Sequence, residues 1–425
     1  MLHTDAEQML TDFAHRTLIE GTTEAATGIY HVRGLGHSNP IVIEGRTSVI
    51  LIDTPDSDVR GEALKETIRR NTPKPVKTII YTHHHPDHRG GAAAFAETAE
   101  EVLAFAPTKP VLDRTEVLRD ILWKRTTSQF GYELTDKELI TQGLGRREGF
   151  TTGEGKYAFL PPTTVYHEKK IVREIDGITL ELVAAPGETD DQLFVWLPAH
   201  NILCSGDTYY ECWPNIYPLR GGQYRDVSAW IDSLQLILSY QPEILLPGHF
   251  GPIFGRDEIQ RRLSLYKDAL DYVLTETLAG MNRGLTADQL AETVTLPPEF
   301  ASSPYLGEFY GTVAWTVRSI FAGYLGWFDG NPAKLNQAPA ERLARELLAQ
   351  IGDEEGLVVR IEALLARGDA QLALELSDIL IYSEKKSTVA KELKGRCLLA
   401  LAKLETSANG RHYYLACAKA LQASR

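Results

Sequence analysis

The sequence predicts an α/β fold over residues 1–255, followed by α-helical segments at residues 256–337 and 338–425. In the first part, short apolar and β-branched runs alternate with helical patterns, and glycine and proline mark its end at residues 247–252. From about residue 256 the apolar residues change abruptly to a helical spacing. Sheets flanked by helices, with a separate helical region behind them, are therefore expected.

Seven short runs in the first part are predicted strands, because they are rich in β-branched and apolar residues. They lie at residues 41–43, 48–53, 77–81, 178–183, 193–197, 202–204 and 244–246.

The helical region begins with Ile259, Leu263, Tyr266 and Leu270, whose spacing predicts one buried face of a helix. A cluster of aromatic residues and glycines follows at residues 305–328 and is typical of a core or a subunit interface. Beyond a linker near residues 331–339, Ala- and Leu-rich helices are expected, at residues 357–365, 370–381 and 389–404. These resemble stacked hairpins of the tetratricopeptide kind, although no full repeat consensus is met. We interpret this tail as a scaffold.

The composition is that of a globular protein with an excess of acidic residues. The 425 residues, 43% of them hydrophobic and 24% charged, give room for two or three domains. A formal net charge of −13 disfavours binding to nucleic acid or to anionic membranes, so no nucleic-acid partner is expected.

The sequence also predicts where the protein resides. Residues 1–20 lack the charged and apolar regions of a signal peptide, and no run approaches the ~18 apolar residues that a membrane span needs. Cys204, Cys212, Cys397 and Cys417 form no C-x-x-C pair, which suits a reducing compartment. We expect no membrane span and a cytoplasmic location, with a trimmed secreted or periplasmic form left open.

The strongest motif is THHHPDHRGG at residues 82–91, directly after a predicted strand. Its donors His83, His85, Asp87 and His88 fit H-x-H-x-D-H, a spacing that lets the first two histidines share one metal while the other two donors face a second. Imidazole and carboxylate donors without thiolate suit zinc, and also iron or manganese. An incomplete protein shell leaves a position for water, which indicates catalysis rather than a structural site.

Three later donors also come just after predicted strands. They are Glu188 in Pro-Gly-Glu-Thr, Asp207 in Ser-Gly-Asp-Thr and His249 in Pro-Gly-His. Each alone is explained as a turn residue, a helix cap or a surface histidine. Together they supply the further ligands, including a bridging carboxylate, that a two-metal site needs to hold its ions ~3.5–4 Å apart.

The order of these seven donors resembles that of the metallo-β-lactamase superfamily. Asp53 falls where that superfamily has an early buried aspartate that braces the metal loop and is not a ligand. The resemblance implies an α/β fold of the αββα sandwich type for residues 1–255.

Glu188 occupies the place where that superfamily usually has a third histidine, and in this it is similar to the alkyl sulfatases, the zinc-dependent class III sulfatases. Residues 215–226, NIYPLRGGQYRD, and Trp230 resemble the N-L-Y-x-L-R-G-x-Q-x-R-D segment of that family. Residues 311–312, 324–332 and Leu335 resemble its dimerisation domain. The resemblance therefore implies an all-α dimerisation domain at residues 256–337, a helical tail at residues 338–425 and a homodimer.

The resemblance also implies the roles of the site residues, with two Zn²⁺ per subunit and iron or manganese kept open. One ion is held by His83, His85 and Glu188, the other by Asp87, His88 and His249, and Asp207 bridges them. Arg220, helped by Asn215, holds the sulfate, since a guanidinium presents paired donors to a tetrahedral oxyanion. Asp87, Arg220 and Asn215 are the predicted catalytic residues.

Two positions depart from the family pattern. The bridging position holds Asp207, where alkyl sulfatases commonly have glutamate. The histidines that follow this position in the family are missing from residues 208–214, so a general acid would have to come from elsewhere. Tyr209, Glu211 and Tyr217 are the candidates from the sequence.

The predicted function is hydrolysis of alkyl sulfate esters to alcohol and inorganic sulfate, by a hydroxide that bridges two zinc ions. The sequence leaves open the alcohol part of the small-molecule substrate and whether the C–O or the S–O bond breaks. The alternatives are a hydrolase of thioesters, lactones or phosphodiesters, an iron oxygenase, and a non-catalytic assembly protein.

Overall fold

The computed structural model describes residues 6–109, 112, 115–383 and 387–423, and its first part contains two facing β-sheets. The first sheet consists of β1 (Gly21–Ala26), β2 (Ile29–Arg33), β3 (Ile41–Glu44), β4 (Val49–Ile52), β5 (Val76–Ile80), β6 (Glu101–Phe105) and β7 (Thr164–Tyr166). The second consists of β8 (Lys170–Ile175), β9 (Ile178–Ala184), β10 (Leu193–Leu197), β11 (Ile202–Gly206), β12 (Ile244–Pro247) and β13 (Ile253–Phe254).

The strand directions decide where the loops of each sheet lie. In the first sheet the strands follow chain order, antiparallel from β1 to β4 and parallel from β4 to β7. In the second the order is β13-β12-β11-β10-β9-β8, with β11 and β12 parallel and the other neighbours antiparallel. Strands β9, β11 and β12 therefore run in the same direction, and their carboxyl ends lie at one edge of the second sheet.

A buried apolar layer fills the space between the sheets. Ile43 and Ile50 from the first sheet, and Leu182 and Val195 from the second, are fully buried in it. Because the central strands are covered on both faces, their sequences are continuous apolar runs rather than alternating ones. This is why the sequence identified β3, β4, β5 and β9 to β12.

Fifteen α-helices occur in the described part of the chain. They are α1 (Ala6–Thr17), α2 (Asp58–Asn71), α3 (Arg119–Phe130), α4 (Asp136–Leu139), α5 (Gly149–Thr152), α6 (Val227–Ser239), α7 (Arg256–Asn282), α8 (Ala287–Thr293), α9 (Pro298–Ala301), α10 (Val313–Leu325), α11 (Ala340–Ile351), α12 (Glu354–Ala366), α13 (Ala370–Ser383), α14 (Thr388–Ala402) and α15 (Ala408–Ala423).

Helices cover both outer faces of the two sheets. Leu64 and Ile68 of α2 pack on the first sheet, while Trp230 of α6 and Leu263 of α7 pack on the second. The same outer core includes Val317 of α10, so the helical region is continuous with the sandwich. The predicted αββα sandwich with helical segments behind it is confirmed.

The predicted boundaries after residues 255 and 337 fall between elements, since α7 begins at Arg256 and α11 at Ala340. As domain boundaries they stay predictions. Among the helices in the described ranges, none is both long and apolar enough to cross a membrane. The four cysteines form no disulfide with one another.

The sequence missed six strands that lie at or next to a sheet edge, namely β1, β2, β6, β7, β8 and β13. Strand β8 alternates exposed and half-buried residues, and none of the residues of β1 is buried, so neither forms an apolar run. The helix-prone stretch after Gly91 forms only a 3₁₀ turn, Ala92–Phe95. Gly90 and Gly91 lie against the backbone of Asp56 and Ser57, where a side chain at either glycine would collide.

The tail has a core of its own and also contacts the sandwich. Leu357, Ile361 and Leu393 belong to a separate buried cluster of α12 to α14. Helix α15 then returns to α3, where His412 Nδ1 lies 3.1 Å from the Gln129 carbonyl oxygen. The tail therefore supports a part of the first region.

Replacing Leu182 with alanine should remove side-chain contacts from the layer between the sheets. We expect the free energy of unfolding to fall by about 2–5 kcal/mol, the usual cost of a leucine-to-alanine cavity, measured by chemical denaturation. Leu236→Ala is the matched control, because Leu236 is 37% exposed on α6. Equal effects of the two substitutions would contradict the assigned core.

Candidate metal centre

The predicted donors follow strands that end at one edge of the sandwich. Asp53 follows β4, residues 83–88 follow β5, Glu188 follows β9, Asp207 follows β11 and His249 follows β12. Backbone hydrogen bonds tie these loops together across the two sheets. The Leu193 N–H donates to the Thr82 carbonyl at 2.9 Å, and the Gly248 N–H donates to the Gly206 carbonyl at 2.9 Å.

Asp53 is the brace of the histidine-rich loop. One carboxylate oxygen accepts from the Thr82 N–H at 2.8 Å, and the other accepts from the Thr82 hydroxyl at 2.7 Å. The second oxygen also lies 2.8 Å from His88 Nδ1. Asp53 adopts φ +59°, a left-handed conformation that aspartate tolerates better than most residues and that is uncommon outside turns and functional sites. The result is that His88 Nε2 faces the other donors.

His83, His85 and Glu188 form the first group of donors. His83 Nε2 lies 3.0 Å from His85 Nδ1, and His85 Nδ1 lies 3.9 Å from Glu188 Oε1. One donor atom of each residue lies within 4.8 Å of the others. This spacing is compatible with one shared cation.

Asp87, His88 and His249 form the second group. Asp87 Oδ2 lies 3.3 Å from His88 Nε2 and 3.4 Å from His249 Nε2. The structure therefore brings both sets of three side chains together, each around its own centre.

Asp207 lies between the two groups. Its Oδ2 is 3.1 Å from His249 Nε2 and 3.9 Å from His83 Nε2, and its Oδ1 is 3.4 Å from His88 Nε2. Gly248 allows this approach, because a side chain there would collide with Asp207 Oδ1 and with the His88 ring. One carboxylate thus reaches donors of both groups.

The residues fit a divalent cation. His88 Nε2 and Asp207 Oδ1 are buried and have no hydrogen-bond partner among the described residues. Buried polar atoms are normally paired, so two unpaired donor atoms that face each other point to a missing ligand. Nitrogen and carboxylate oxygen without sulfur are donors that zinc accepts. As individual ligand assignments, the seven residues stay predictions.

The charges of the metal-free centre are balanced by protons. Burial lowers the pKa of His83 to about 3. Burial also acts to lower the pKa of His249, but the carboxylates of Asp207 and Asp87 outweigh it and raise that pKa to about 9. A cation bound by His249 would displace this proton, so its binding would release protons and weaken in acid.

Glu188 is held by two residues to which the sequence gave no role. Arg225 forms a buried ion pair with one carboxylate oxygen and donates from the same nitrogen to the Asn215 carbonyl at 2.7 Å. The Tyr210 hydroxyl donates to the other Glu188 oxygen and lies 2.9 Å from Asp207 Oδ2. Arg225 lies in the family-like segment at residues 215–226, which was the only signal for it.

Arg220 lies in the wall of a cavity of about 410 Å³ that opens onto the donors. Its backbone N–H donates to Gln129 Oε1 at 2.7 Å, and its Nη2 lies 3.4 Å from His85 Nε2. Within the described ranges, its guanidinium forms no ion pair with a carboxylate. A second cavity of about 380 Å³ shares Arg220, His85 and Glu188 with the first.

The other sequence candidates do not line the larger cavity. Asn215 is buried, and its side-chain amide has no hydrogen-bond partner among the described residues. Glu211 forms an ion pair with Arg262 at 2.9 Å. Tyr209 is fully buried, whereas Tyr217 is 38% exposed.

Sequence reasoning missed several polar residues of the cavity wall, among them four from one stretch of the chain. Gln129 holds Arg220 as described, and Tyr132, Glu148 and Tyr157 lie on the same wall. They come from residues 129–157, where short helices and turns give no periodic pattern. No signal in a single sequence would have found them.

The comparisons with known proteins agree with this geometry. Residues 33–249 match the model of the metallo-β-lactamase superfamily, and residues 286–424 match that of alkyl sulfatase dimerisation. A linear primary-alkylsulfatase from Pseudomonas sp. is 33% identical over 390 residues, which cover 90% of this chain and 73% of that protein. The chain belongs to the alkyl sulfatase family of the metallo-β-lactamase superfamily.

Other relatives in the alkyl sulfatase family are more distant. An alkyl/aryl-sulfatase from Saccharomyces cerevisiae is 28% identical over 95% of this chain and 64% of its own length. The solved structure of a stereoselective inverting sec-alkylsulfatase from Pseudomonas sp. superposes with a TM-score of 0.89, at 24% identity, over 99% of this chain and 70% of that one. This last likeness shows that the fold is shared. The chain thus spans between about two thirds and three quarters of these relatives.

Arg225→Met should leave the buried Glu188 carboxylate without its cation. In the metal-free protein we expect the free energy of unfolding to fall by about 3–5 kcal/mol, as when one partner of a buried ion pair is removed. Arg119→Met is the control, because the Arg119 side chain is 86% exposed and should change stability by no more than about 0.5 kcal/mol. Denaturant unfolding measures both, and a loss no larger than that of the control would refute the importance of the pair.

Proposed function

We propose that the protein hydrolyses sulfate monoesters of alcohols and releases the alcohol and inorganic sulfate. The observation that carries this proposal is the Arg220 guanidinium, which has no carboxylate partner in the described structure and lies 3.4 Å from His85 in a cavity lined by donors of both groups. Membership of the alkyl sulfatase family supports the same reaction.

The centre would hold two zinc ions, with iron and manganese as possible substitutes. His83, His85 and Glu188 would bind one ion, Asp87, His88 and His249 the other, and Asp207 both. Such ions lower the pKa of water toward neutrality and polarise the ester. Asp53 and Arg225 do not bind the ions themselves; they hold His88 and Glu188 in place.

Arg220 would bind the sulfate group. A guanidinium presents two parallel N–H donors to a tetrahedral oxyanion, and its charge favours the extra negative charge of the transition state. Burial strengthens this interaction because little water competes for the donors. Gln129 keeps the Arg220 backbone in position through the 2.7 Å hydrogen bond to its N–H.

The aromatic side of the cavity would receive the alcohol part. Trp123, Phe130, Tyr132 and Phe159 line it, and Tyr132 lies in ring contact with Trp123 and Phe130. Apolar walls exclude water and favour an alkyl or aryl group over a charged one. Trp123 is 54% exposed, so this wall reaches the surface.

A homodimer is part of the proposal. The dimerisation family model covers residues 286–424. At the end of α10, Tyr324, Leu325 and Trp327 are 49%, 57% and 75% exposed. Large exposed apolar groups that lie together mark contact surfaces, and these fall where the sequence resembles the dimerisation domain.

Loss of one metal ligand should remove metal and activity together. For His85→Ala and Asp87→Ala we expect metal affinity to fall by at least ~100-fold, since removal of an outer partner alone can cost up to that much. Chelator competition and elemental analysis measure the metal, and sulfate release measures the activity. Asp232→Ala, an exposed aspartate of α6, should keep both properties.

Arg220→Ala should separate metal binding from turnover. We expect both metals to remain bound while kcat/KM for sulfate esters falls by roughly 10²–10³, the usual loss when one donor to an oxyanion is removed. Arg256→Ala is the control, since Arg256 pairs with Glu243 on the surface. Full activity of Arg220→Ala would refute its role.

The reaction class is tested on the metal-loaded wild-type protein with a substrate panel. Alkyl sulfates of increasing chain length are compared with a thioester, a lactone and a phosphodiester, and oxygen consumption is monitored alongside. We expect release of inorganic sulfate without oxygen consumption. Turnover of another ester, with no turnover of any sulfate, would overturn the proposal.

A further inference from the structure

The cavity wall contains a second arginine without an anionic partner. Arg89 directly follows the histidine-rich loop and lines the same cavity as Arg220. Among the residues that the structure describes, its side chain forms no hydrogen bond and no ion pair. Its Nε is buried, whereas the terminal nitrogens Nη1 and Nη2 keep accessible surface. Since polar groups that are largely removed from water are normally paired, this half-buried cation indicates an anionic ligand in the cavity.

The carboxylates nearest to Arg89 are engaged elsewhere. Asp191 Oδ1 lies 2.9 Å from His84 Nδ1, and Asp53 holds the histidine-rich loop as described above. Burial lowers the pKa of Arg89, and the charges of Tyr81, Asp191 and Asp53 oppose this shift. A guanidinium nevertheless stays charged near neutral pH, because its ordinary pKa is so high. Arg89 thus brings a positive charge to the cavity that no carboxylate of the described chain contacts.

Aromatic rings hold the Arg89 guanidinium in place. Its Cζ lies 5.0 Å from the centre of the Phe159 ring and 5.9 Å from that of the Tyr81 ring. A cation over the face of an aromatic ring is attracted by the ring, and the N–H groups at its edge can still bind an anion in the guanidinium plane. Arg89 is therefore oriented without the use of its terminal donors.

A row of aromatic rings connects this position with Arg220. Successive rings in the row lie between 4.8 and 6.0 Å apart, measured between centroids: Phe159, Tyr157, Phe150, Tyr132 and Phe130. Gln129, the neighbour of Phe130, accepts the hydrogen bond from the Arg220 N–H. One end of the row thus contacts Arg89, and the other end is tied to the arginine that is proposed to bind sulfate.

We propose that the preferred substrates are sulfate esters of hydroxy acids, whose far end carries a carboxylate that Arg89 binds. This inference rests on the proposed sulfate-ester hydrolysis and names its substrate class. Arg220 binds the sulfate, the aromatic row contacts the carbon chain, and Arg89 presents paired N–H donors to the carboxylate. A plain alkyl sulfate would leave the Arg89 donors without a partner.

The test compares esters that differ only at the end remote from the sulfate. Octyl sulfate ends in a methyl group, whereas the sulfate ester of 8-hydroxyoctanoic acid ends in a carboxylate. Both types are supplied to the metal-loaded wild type in matched chain lengths from four to twelve carbons. We expect a higher kcat/KM for the carboxylate ester at one or more lengths, with the difference in KM, because Arg89 does not touch the reacting atoms.

Arg89→Met removes the charge and keeps an unbranched side chain over the rings. We expect the ratio of kcat/KM between the carboxylate ester and the alkyl ester to fall by roughly 10–100-fold, the usual contribution of hydrogen bonds between charged groups. This ratio does not depend on how much of a variant is folded or metal-loaded. Arg89→Lys keeps a cation and should retain part of the preference.

Arg261→Met is the matched control. Arg261 also lies over an aromatic ring, 5.5 Å from the centre of Tyr305, but it does not line the cavity. It should keep the wild-type ratio. Metal content is measured for every variant, because Arg89 is adjacent to His88.

A preference for the carboxylate ester that is lost in Arg89→Met and kept in Arg261→Met supports the inference. No preference of the wild type at any chain length, or an unchanged ratio in Arg89→Met, overturns it, while sulfate release from the alkyl esters leaves the proposed hydrolysis intact. If the metal-loaded wild type releases sulfate from neither series, the proposed function fails and the substrate class fails with it.

Discussion

The centre depends on the carboxylate of Asp53, which connects the ends of two neighbouring parallel strands. Its oxygens bind the backbone and side chain of Thr82 and face Nδ1 of His88, all between 2.7 and 2.8 Å. Since Nδ1 is engaged, His88 presents only Nε2 to the other donors, and a fixed ring orientation is what a metal ligand needs. The positions of the donors at residues 83–88 depend on this contact, because the loop leaves β5 at Thr82.

The second constraint is charge. Asp87 and Asp207 lie within 3.4 Å of His249, so the metal-free centre compensates two buried carboxylates with protonated imidazole. Arg225, which is not one of the seven donors, compensates the charge of the Glu188 carboxylate. Cations that replace the imidazole proton would let the same side chains act as ligands without rearrangement. The wall near Glu148 differs, because its carboxyl forms no ion pair among the described residues and burial raises its pKa to about 7. The pKa values of carboxyl groups in one cavity are thus shifted in opposite directions, downward for Asp87 and Asp207 and upward for Glu148, by their neighbours.

The sequence was sufficient for the parts of the molecule that are locally encoded. Strands buried on both faces form continuous apolar runs, and donors at strand ends form short motifs, so the sandwich, α7 and the seven donors could be predicted. Edge strands such as β8 could not, since half-exposed residues give no apolar run. Gln129, Glu148 and Tyr157 could not be predicted for another reason. They reach the cavity wall only when residues 119–157 fold over it. The role of Asn215 stays a prediction: its backbone carbonyl accepts a hydrogen bond from Arg225, and its side chain does not line the cavity.

The helical tail was interpreted as a scaffold, and its contacts show which parts of the molecule it supports. The Ser407 hydroxyl donates to the Tyr310 carbonyl at 2.6 Å, which places the start of α15 against the helical region. Along α15, His412 is buried between the carbonyl oxygens of Gln129 and Leu139, at 3.1 and 3.0 Å. Gln129 in turn accepts from the Arg220 N–H. A continuous set of packed and hydrogen-bonded groups therefore links the last helix to the arginine proposed to bind sulfate.

Because α3 carries an exposed Trp123 and few buried residues of its own, it depends on α15 for its position. The tail thus supports the cavity wall, although none of its described residues lies in that wall.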